Sequence, residues 1–243
     1  MDPLSVSVAS GMRARLESLD MLANNVANAG TAGFKHDQEF YSLFLNAEAA
    51  ASVGVPATLP VVEKAWTDFN QGILQTTGNP LDVALSGKGF FAVNGPAGPL
   101  YTRAGNFQQR PDGTVTSQEG YAVRLEGGAP LQLQGTAPLE VARDGSVKQN
   151  GNLLGRLQVA EIADSNLLSK QGATMFRLAD SATSPVMAKN IDVQQGKLEQ
   201  SNVSAAGSAV RLISVMRQFE GLQKALQIGA EMNRKAIEEV ARV

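Results

Sequence analysis

The chain has 243 residues, of which 43% are hydrophobic, so it is long enough to bury a core and its composition excludes disorder throughout. The formal net charge of −2 at pH 7 provides no excess positive field for nucleic acid or an anionic membrane surface. The chain has no cysteine and a single histidine, which excludes thiol catalysis, disulfides and cysteine zinc sites. We expect no metal site, no cofactor, no nucleic-acid partner and no small-molecule substrate.

The first predicted element is an amphipathic helix over residues 4–29. Residues 1–30 are predicted to be the N-terminal helix of a stalk domain, which residues 191–243 complete. Apolar residues recur every three or four positions along one helical face, namely Leu4, Val8, Met12, Leu16, Leu19, Ala23 and Val26. Asn28, Gly30 and Gly33 supply the stop. Residues 1–5 lack a basic region and a continuous apolar run, so we expect no cleavable secretory signal.

Residues 31–80 are predicted to form an extended connector, because they lack sustained periodicity and contain Pro56, Pro60 and Pro80. A short helix is expected near residues 40–50. His36 lies between Lys35 and Asp37 in a polar stretch, so we expect its side chain to be solvated.

Residues 81–190 are predicted to form a β-rich outer domain. The segments 81–85 and 89–93 have the alternating pattern of strands. Four dipeptides that favour tight hairpin turns follow, at Asn94-Gly95, Asp112-Gly113, Asp144-Gly145 and Asn150-Gly151.

The run Gly87-Lys88-Gly89-Phe90-Phe91-Ala92 fits the pattern of a dinucleotide-binding loop. That site needs a helix N-terminus directly after the glycines to hold the pyrophosphate, whereas residues 90–93 read as a strand. We expect a bulge or bend at the glycines instead, with one of the two phenylalanines in the β core.

The last region, residues 191–243, is predicted to hold a return segment and a long C-terminal helix over residues 203–240. On a heptad frame every position except Gln223 and Asn233 is apolar, the full row being Ala209, Leu212, Met216, Phe219, Gln223, Leu226, Ala230, Asn233, Ile237 and Val240. Such a helix is about 57 Å long at 1.5 Å per residue. Its natural partner is the N-terminal helix, but two helices cannot cover each other's surfaces, so further copies are needed.

The fold class predicted from these elements is α+β, with N- and C-terminal helices pairing into a coiled-coil-like stalk and a central β-rich domain. One enzymatic alternative stays open at this stage, a wall hydrolase that uses carboxylates of the β region, among them Asp82, Asp112, Glu119, Glu126, Glu140 and Asp144. The test is the separation of two carboxylates in space, which sequence does not provide.

Three sets of motifs resemble those of bacterial flagellar basal-body rod and hook proteins. The first is Asn24-Asn25-Val26-Ala27-Asn28 with Thr31-Ala32-Gly33-Phe34-Lys35. The second is residues 81–85 with Gly87-Lys88-Gly89-Phe90-Phe91 and Tyr101-Thr102-Arg103-Ala104-Gly105-Asn106-Phe107. The third is Gly196 with Leu198-Glu199-Gln200-Ser201-Asn202-Val203. The motifs occur in the family's order along most of the chain. The short middle domain and the run Arg217-Gln218-Phe219-Glu220 resemble the proximal rod subunit more than the distal rod or hook subunits.

The resemblance implies a structural subunit, exported unfolded by the flagellar type III apparatus without a cleaved signal and stacked helically into the periplasmic rod. It implies that the terminal helices form an inner tube, that the β domain forms an outer layer and that the rod transmits torque from motor to hook. We expect the apolar residues of the two helices to pack against each other and then against neighbouring copies. The N-terminal helix contributes Leu4, Val8, Met12, Leu16 and Leu19, and the C-terminal helix contributes Leu212, Met216, Phe219, Leu226 and Ile237. Heterologous contacts of this kind build filaments.

Overall fold

The computed structural model describes residues 3–45, 58–135, 137–162, 164–179, 186–188 and 192–240. The chain divides into two compact units, each assembled from separate stretches of sequence. The first, which we call the helical unit, comprises Met1–Ala27, Asp37–Asp68 and Ser204–Val243. The second, which we call the β unit, comprises Asn28–His36 and Phe69–Val203.

The helical unit contains two helices, α1 (Pro3–Ala27) and α2 (Ala205–Val240), which pack on each other. Pro3 opens α1, a position where its missing N–H costs no hydrogen bond. The Ser204 hydroxyl accepts a hydrogen bond from Gly207 N–H at 3.3 Å and caps the start of α2. The predicted α+β class and the pairing of the terminal helices are confirmed, whereas their coiled-coil character stays a prediction.

A β-hairpin completes the helical unit, with strands β1 (Asp37–Leu45) and β2 (Thr58–Thr67) paired antiparallel. It lies where the sequence predicted an extended connector. Residues 40–45, expected in a short helix, are strand, and residues 46–50 of that expected helix lie outside the described residues. Three aromatic residues favour β structure in residues 40–45, and the pairing with residues 58–67 is non-local, so a search for helical periodicity does not detect it.

The β unit consists, among its described residues, of short antiparallel strands. They are β3 (Leu74–Thr76), β4 (Val83–Ser86), β5 (Phe90–Gly95), β6 (Gly98–Thr102), β7 (Gln108–Gln109), β8 (Val115–Thr116), β9 (Ala122–Val123), β10 (Leu139–Val141), β11 (Ser146–Gln149), β12 (Asn152–Arg156), β13 (Val159–Glu161), β14 (Leu168–Lys170), β15 (Met175–Leu178), β16 (Val186–Met187), β17 (Asp192–Gln195) and β18 (Lys197–Glu199). A 3₁₀ turn, Ser165–Leu167, precedes β14.

The largest sheet of the described residues has the order β14-β15-β6-β5-β9-β8-β7, and β13 pairs with both β5 and β16. Smaller sheets are β10-β11-β12, β17-β4 and β18-β3. The last two join strands that are far apart in sequence, so residues 192–199 close the β unit against its beginning.

Strand β5 contributes to two hydrophobic clusters, one on each face. Phe91 and Val93 belong to the larger cluster, and Phe90 and Ala92 belong to the smaller one. We expected one of the two phenylalanines in the core, whereas both are buried because each face of the strand is covered.

The hairpin turns mostly follow their dipeptides. Asn150 has φ 52° and joins β11 to β12 with Gly151, a conformation that favours the Asn-Gly pair. The prediction for Asn94-Gly95 is wrong, because both residues still belong to β5 and the turn lies at residues 96–97. None of the helices in the described part of the chain is long and apolar enough to cross a bilayer.

Candidate functional site: the motif cluster and the terminal helices

In the β unit, motif residues from distant parts of the sequence meet at Glu199, the last residue of β18. Its backbone carbonyl accepts a hydrogen bond from Gly33 N–H at 2.7 Å. Its carboxylate Oε1 accepts from Lys35 Nζ at 2.5 Å and from Gly72 N–H at 2.9 Å, and Oε2 accepts from Arg103 Nη1 at 3.3 Å. We call Lys35, Arg103 and Glu199 the ion cluster.

The ion cluster places two cations and one carboxylate in the protein interior. The side chains of Lys35 and Glu199 are 0% exposed and that of Arg103 is 5% exposed. Burial lowers the pKa of the Arg103 guanidinium, and the charge of Glu199 opposes that shift. Removing one partner from a buried pair costs about 3–5 kcal/mol, because the remaining charge is left uncompensated. Glu199 contacts both cations, so its loss should be the most damaging.

Arg103 also connects the ion cluster to the central motif. Its Nη2 donates to the backbone carbonyl of Gly87 at 2.7 Å, and its guanidinium lies 5.2 Å from the centre of the Phe90 ring. Its Nε finds no hydrogen-bond partner among the described residues. Gly89 has φ +135°, so the bend expected at these glycines is present and brings the carbonyl of Gly87 to the guanidinium.

The turn before Lys35 is held tightly against the rest of the β unit. Gly33 has φ +70°, and a Cβ at this position would lie 2.2 Å from the backbone nitrogen of Ala104. Phe34 is fully buried, and Lys170 Nζ lies 4.2 Å from the centre of its ring while donating to the Lys35 carbonyl at 3.0 Å. Only glycine fits the close backbone approach at position 33.

Asn202 connects the segment that precedes α2 to the segment that follows α1. Its Oδ1 accepts from His36 N–H at 2.9 Å and lies 3.1 Å from His36 Nδ1, and its Nδ2 donates to the Asn70 carbonyl at 3.2 Å. The Ser201 hydroxyl accepts from Val203 N–H at 3.2 Å. The expectation of a solvated His36 is wrong: the side chain is half-buried beside Asn202.

The asparagines at the end of α1 have different environments. Within the helical unit, the buried Asn25 donates from Nδ2 to the Asp37 carbonyl at 2.8 Å and accepts from Asp37 N–H at 3.0 Å. Asn24 is exposed. Asn28, in the β unit, accepts from Thr31 N–H at 3.1 Å. Asn25 thus pairs with both backbone hydrogen-bonding groups of Asp37, the first residue of β1. Asn28 accepts a backbone hydrogen bond in the turn after α1.

The buried stripe of α1 differs from its most hydrophobic row. The buried residues of the stripe are Ala14, Ser18, Leu22 and Asn25, and a Cβ at Gly11 would lie 3.6 Å from Leu222 Cδ1 of α2. In the predicted row Leu16 is 48% exposed, Val8, Met12 and Leu19 are partly buried, and the side chain of Leu4 lies outside the described residues. At 100° per residue the two rows are centred roughly 110° apart around the helix. The sequence prediction placed the large apolar side chains of α1 in its packed face. In the structure, small side chains occupy that face because they allow neighbouring elements to approach closely.

On α2 the buried and half-buried positions recur at spacings of four and three from residue 208 to residue 222, and one more follows seven residues later. They are Ser208, Leu212, Val215, Phe219, Leu222 and Gly229. The predicted frame shares Leu212 and Phe219 with this row but places Met216, which is 46% exposed, where the structure buries Val215. Leu226 and Ile237 are exposed within the helical unit. The predicted role of these residues in contacts with other copies stays a prediction.

Glu39 joins three elements of the helical unit. Its carboxylate, 2% exposed, accepts a hydrogen bond from the Ser18 hydroxyl of α1 and lies 3.5 Å from Arg211 Nη2 of α2. The Arg211 side chain is 59% exposed, so the ion pair is screened by water and contributes modestly. Glu39 therefore connects β1 to α1 through Ser18 and to the N-terminal part of α2 through Arg211.

Three of the carboxylates left open as a hydrolase pair, Asp112, Asp144 and Glu126, have structural partners. Asp112 accepts from Thr114 N–H and Asp144 from Ser146 N–H, each at 3.0 Å, and these hydrogen bonds lower the pKa of both carboxyls. A glycosidase acid needs a raised pKa. Glu126 lies 3.4 Å from Arg156. Within the described residues no group of three or more acidic or histidine side chains is arranged to hold a metal ion.

Lys35, Arg103 and Glu199 lie in three separate motifs of the sequence, and the motifs alone did not predict that these side chains meet. The sequence signal that could have predicted the contact is charge, because each motif has a charged residue beside residues expected in the core. No sequence signal predicted the contact of Ser18 with Glu39, because neither residue lies in the three sets of family motifs. The contact also depends on the β1–β2 hairpin, which the sequence did not predict.

Three family profiles match consecutive parts of the chain. Residues 7–35 match "Flagella basal body rod protein", residues 84–154 match "Flagellar hook protein FlgE/F/G D1 domain" and residues 194–239 match "Flagellar basal body rod FlgEFG protein C-terminal". The first and third profiles contain the segments that meet at Glu199.

Full-length relatives agree with these matches. The flagellar basal-body rod protein FlgF of Caulobacter vibrioides is 31% identical, over 99% of this chain and 98% of the relative. FlgF of Mesorhizobium japonicum is 31% identical over 97% of this chain and 96% of the relative. The rod protein FlgG of Agrobacterium fabrum is 31% identical over 92% of this chain and 94% of the relative. The motif-based prediction is confirmed: the chain belongs to the FlgF/FlgG-type family of flagellar basal-body rod proteins.

Proposed function

We propose that this structural rod subunit is of the proximal, FlgF type and assembles helically through its terminal helices. The FlgF relatives support the proximal type, since the alignments span 99% and 97% of this chain, against 92% for the FlgG relative. The alternatives are a distal rod or hook-type subunit. Basal-body micrographs of a deletion strain test the position, because loss of a proximal subunit should also remove the distal rod, whereas a proximal rod that persists would contradict the proposal.

The observation that carries the assembly proposal is the set of large apolar side chains that α2 exposes within the helical unit. These are Val210, Ile213, Met216, Leu226, Ile228, Met232 and Ile237. Large exposed apolar side chains in this number on one helix favour burial against another protein. Copies joined head to tail through unlike surfaces build an open filament, which can transmit torque from motor to hook.

The relatives are named as rod proteins, and the turn carboxylates have lowered pKa values, so the function proposed is structural and not enzymatic. We place the subunit in the periplasmic rod, delivered by the flagellar type III export apparatus without a cleaved signal. Its partners are further copies of itself and neighbouring rod subunits.

The assembly proposal is tested by Met216→Glu, with Gln218→Glu as the matched control two residues away on an exposed position of the same helix. Met216 is 46% exposed in the single chain, so the charge should leave the monomer folded. In a neighbour's apolar surface the same charge would be buried without a partner and block assembly. We expect non-motile cells without complete rods for Met216→Glu and normal motility for Gln218→Glu. Normal rods with Met216→Glu would contradict assembly through this face.

A further inference from the structure

The first helix of the helical unit has apolar side chains outside its packed stripe. They are Met12, Leu16, Leu19 and Ala23, which we call the α1 row, and each is exposed or half-buried. Leu16 is 48% exposed. At about 100° per residue it lies roughly 140° around α1 from Gly11, where a Cβ would lie 3.6 Å from Leu222 of α2. Leu16 therefore projects away from the α2 of its own chain.

The second helix has exposed apolar side chains on the side that faces away from α1. Val210 is 69% exposed, Ile228 58% and Met232 66%. At about 100° per residue these three lie within roughly 40° of one another around α2, well apart from the buried Val215. Gly221 lies between them on the same side, and a Cβ there meets nothing within 4 Å. We call Val210, Gly221, Ile228 and Met232 the α2 outer face. Its middle has room for a large side chain.

The charges beside the α1 row and the α2 outer face have opposite signs. On α1, Asp20 is exposed one turn after Leu16. On α2, Arg217 and Lys224 are exposed one turn before and one turn after Gly221. None of these three charges has an ion pair within the described residues. If Leu16 occupies the space at Gly221, Asp20 comes beside one of the two cations in either relative direction of the helices. At an exposed site such a pair contributes more to orientation than to affinity.

We propose that the α1 row of one copy docks on the α2 outer face of the next copy, with Leu16 at Gly221 and Asp20 beside Arg217 or Lys224. Because each face points away from the other helix of its own chain, the two faces meet only between copies. Contacts between unlike faces continue from copy to copy and build an open filament. The inference rests on the proposed function and deepens it by naming both sides of the contact.

Because the chain has no cysteine, introduced thiols report this contact directly. Full-length Leu16→Cys and Gly221→Cys proteins are produced singly or together in a deletion strain, and isolated rods are oxidised and separated without reductant. A disulfide needs Cα atoms within about 7 Å. We expect cross-linked dimers only when both variants are present, and longer cross-linked chains with the double variant Leu16→Cys/Gly221→Cys. Leu16→Cys with Gln227→Cys, on an exposed position at another side of α2, is the matched control and should give none.

Gly221→Leu separates docking from folding. Leucine favours a helix more than glycine does, and the site is open in the single chain, so the monomer should melt no earlier than wild type. In the rod the new side chain would occupy the space of Leu16, and overpacking disfavours the contact. We expect a several-fold loss of rods per cell for Gly221→Leu and none for Gln227→Leu. The double variant Leu16→Ala/Gly221→Leu returns the space and should recover part of the loss.

Disulfides in either single variant alone would indicate a contact between like faces and overturn the proposal. Rods that contain both thiols without a cross-link would overturn it too, as would normal rods with Gly221→Leu. If the cysteines themselves prevent rods, a Leu16→Ala/Gly221→Leu protein no better than Gly221→Leu overturns it. The deletion strain and Met216→Glu test the proposed function without changing Leu16 or Gly221, so the two failures are distinguishable.

Discussion

Lys35 and Glu199 are 164 positions apart in the sequence, yet Lys35 Nζ and Glu199 Oε1 lie 2.5 Å apart in the interior of the β unit. Lys35 also donates to the Asn70 carbonyl at 2.7 Å. The contact therefore ties the segment after α1 to the segment before α2 and to the chain between them. The N-terminal and C-terminal family motifs therefore meet in one cluster, to which the central motif adds Arg103.

Arg103→Lys should destabilise the β unit although it keeps the charge. A lysine cannot reproduce the planar fork that reaches both Glu199 Oε2 and the Gly87 carbonyl, or its stacking over Phe90. We expect a loss of about 1–3 kcal/mol in the free energy of unfolding, measured by urea denaturation of the full chain. Arg143→Lys, at an exposed position, is the control and should change little. Equal stabilities would show that charge alone matters at position 103.

Asn25→Ala should weaken the attachment of β1 to α1. The substitution leaves both the N–H and the carbonyl of Asp37 without the amide partner that holds them at 3.0 and 2.8 Å. We expect a cost of about 1–3 kcal/mol and faster hydrogen exchange at Asp37. The neighbouring Asn24→Ala, at an exposed position, is the matched control. Similar effects of the two substitutions would contradict the assigned role of Asn25.

Gly33→Ala should be strongly destabilising, whereas Gly30→Ala should not. A Cβ at position 33 would lie 2.2 Å from the Ala104 nitrogen at a φ of +70°, while a Cβ at position 30 meets nothing within 4 Å. The strained backbone alone costs about 1–3 kcal/mol, and the clash adds to it. Thermal unfolding of the two variants measures the difference. A Gly33→Ala protein as stable as wild type would mean that the turn has room to shift.

Asp144 should contribute a pH-dependent part of the stability. The Ser146 N–H holds the pKa of this carboxyl below its usual value, so the unfolded chain binds more protons than the folded one in acid. The contribution is present above the unfolded pKa of about 3.9 and is lost as pH falls through the lower folded value. Melting temperatures of wild type and Asp144→Asn should differ near neutral pH and converge in acid. A difference that stays constant with pH would contradict this linkage.

Local patterns in the sequence were sufficient for the helices, the β class and most of the predicted hairpin turns. Both helices have sustained apolar periodicity, and the Asn150-Gly151 turn depends on the conformational preferences of its own two residues. The motifs also identified the family, since they are short and contiguous. The helices, the turns and the motifs depend on residues that are close together in sequence, so they can be predicted without a tertiary structure.

Tertiary structure decided which surfaces and charges meet. The hydrophobic row of α1 suggested that Leu16 is a packing residue, but the helical unit buries Ala14 and Ser18 instead, because small side chains allow the close approach of neighbouring elements. The hairpin of β1 and β2 and the cluster at Glu199 arise from pairings between distant residues. The sequence by itself determined the elements and the family of this protein. Only the tertiary structure decided that Glu199 contacts both Lys35 and Arg103, because a long-range charge contact leaves no periodic trace in the chain.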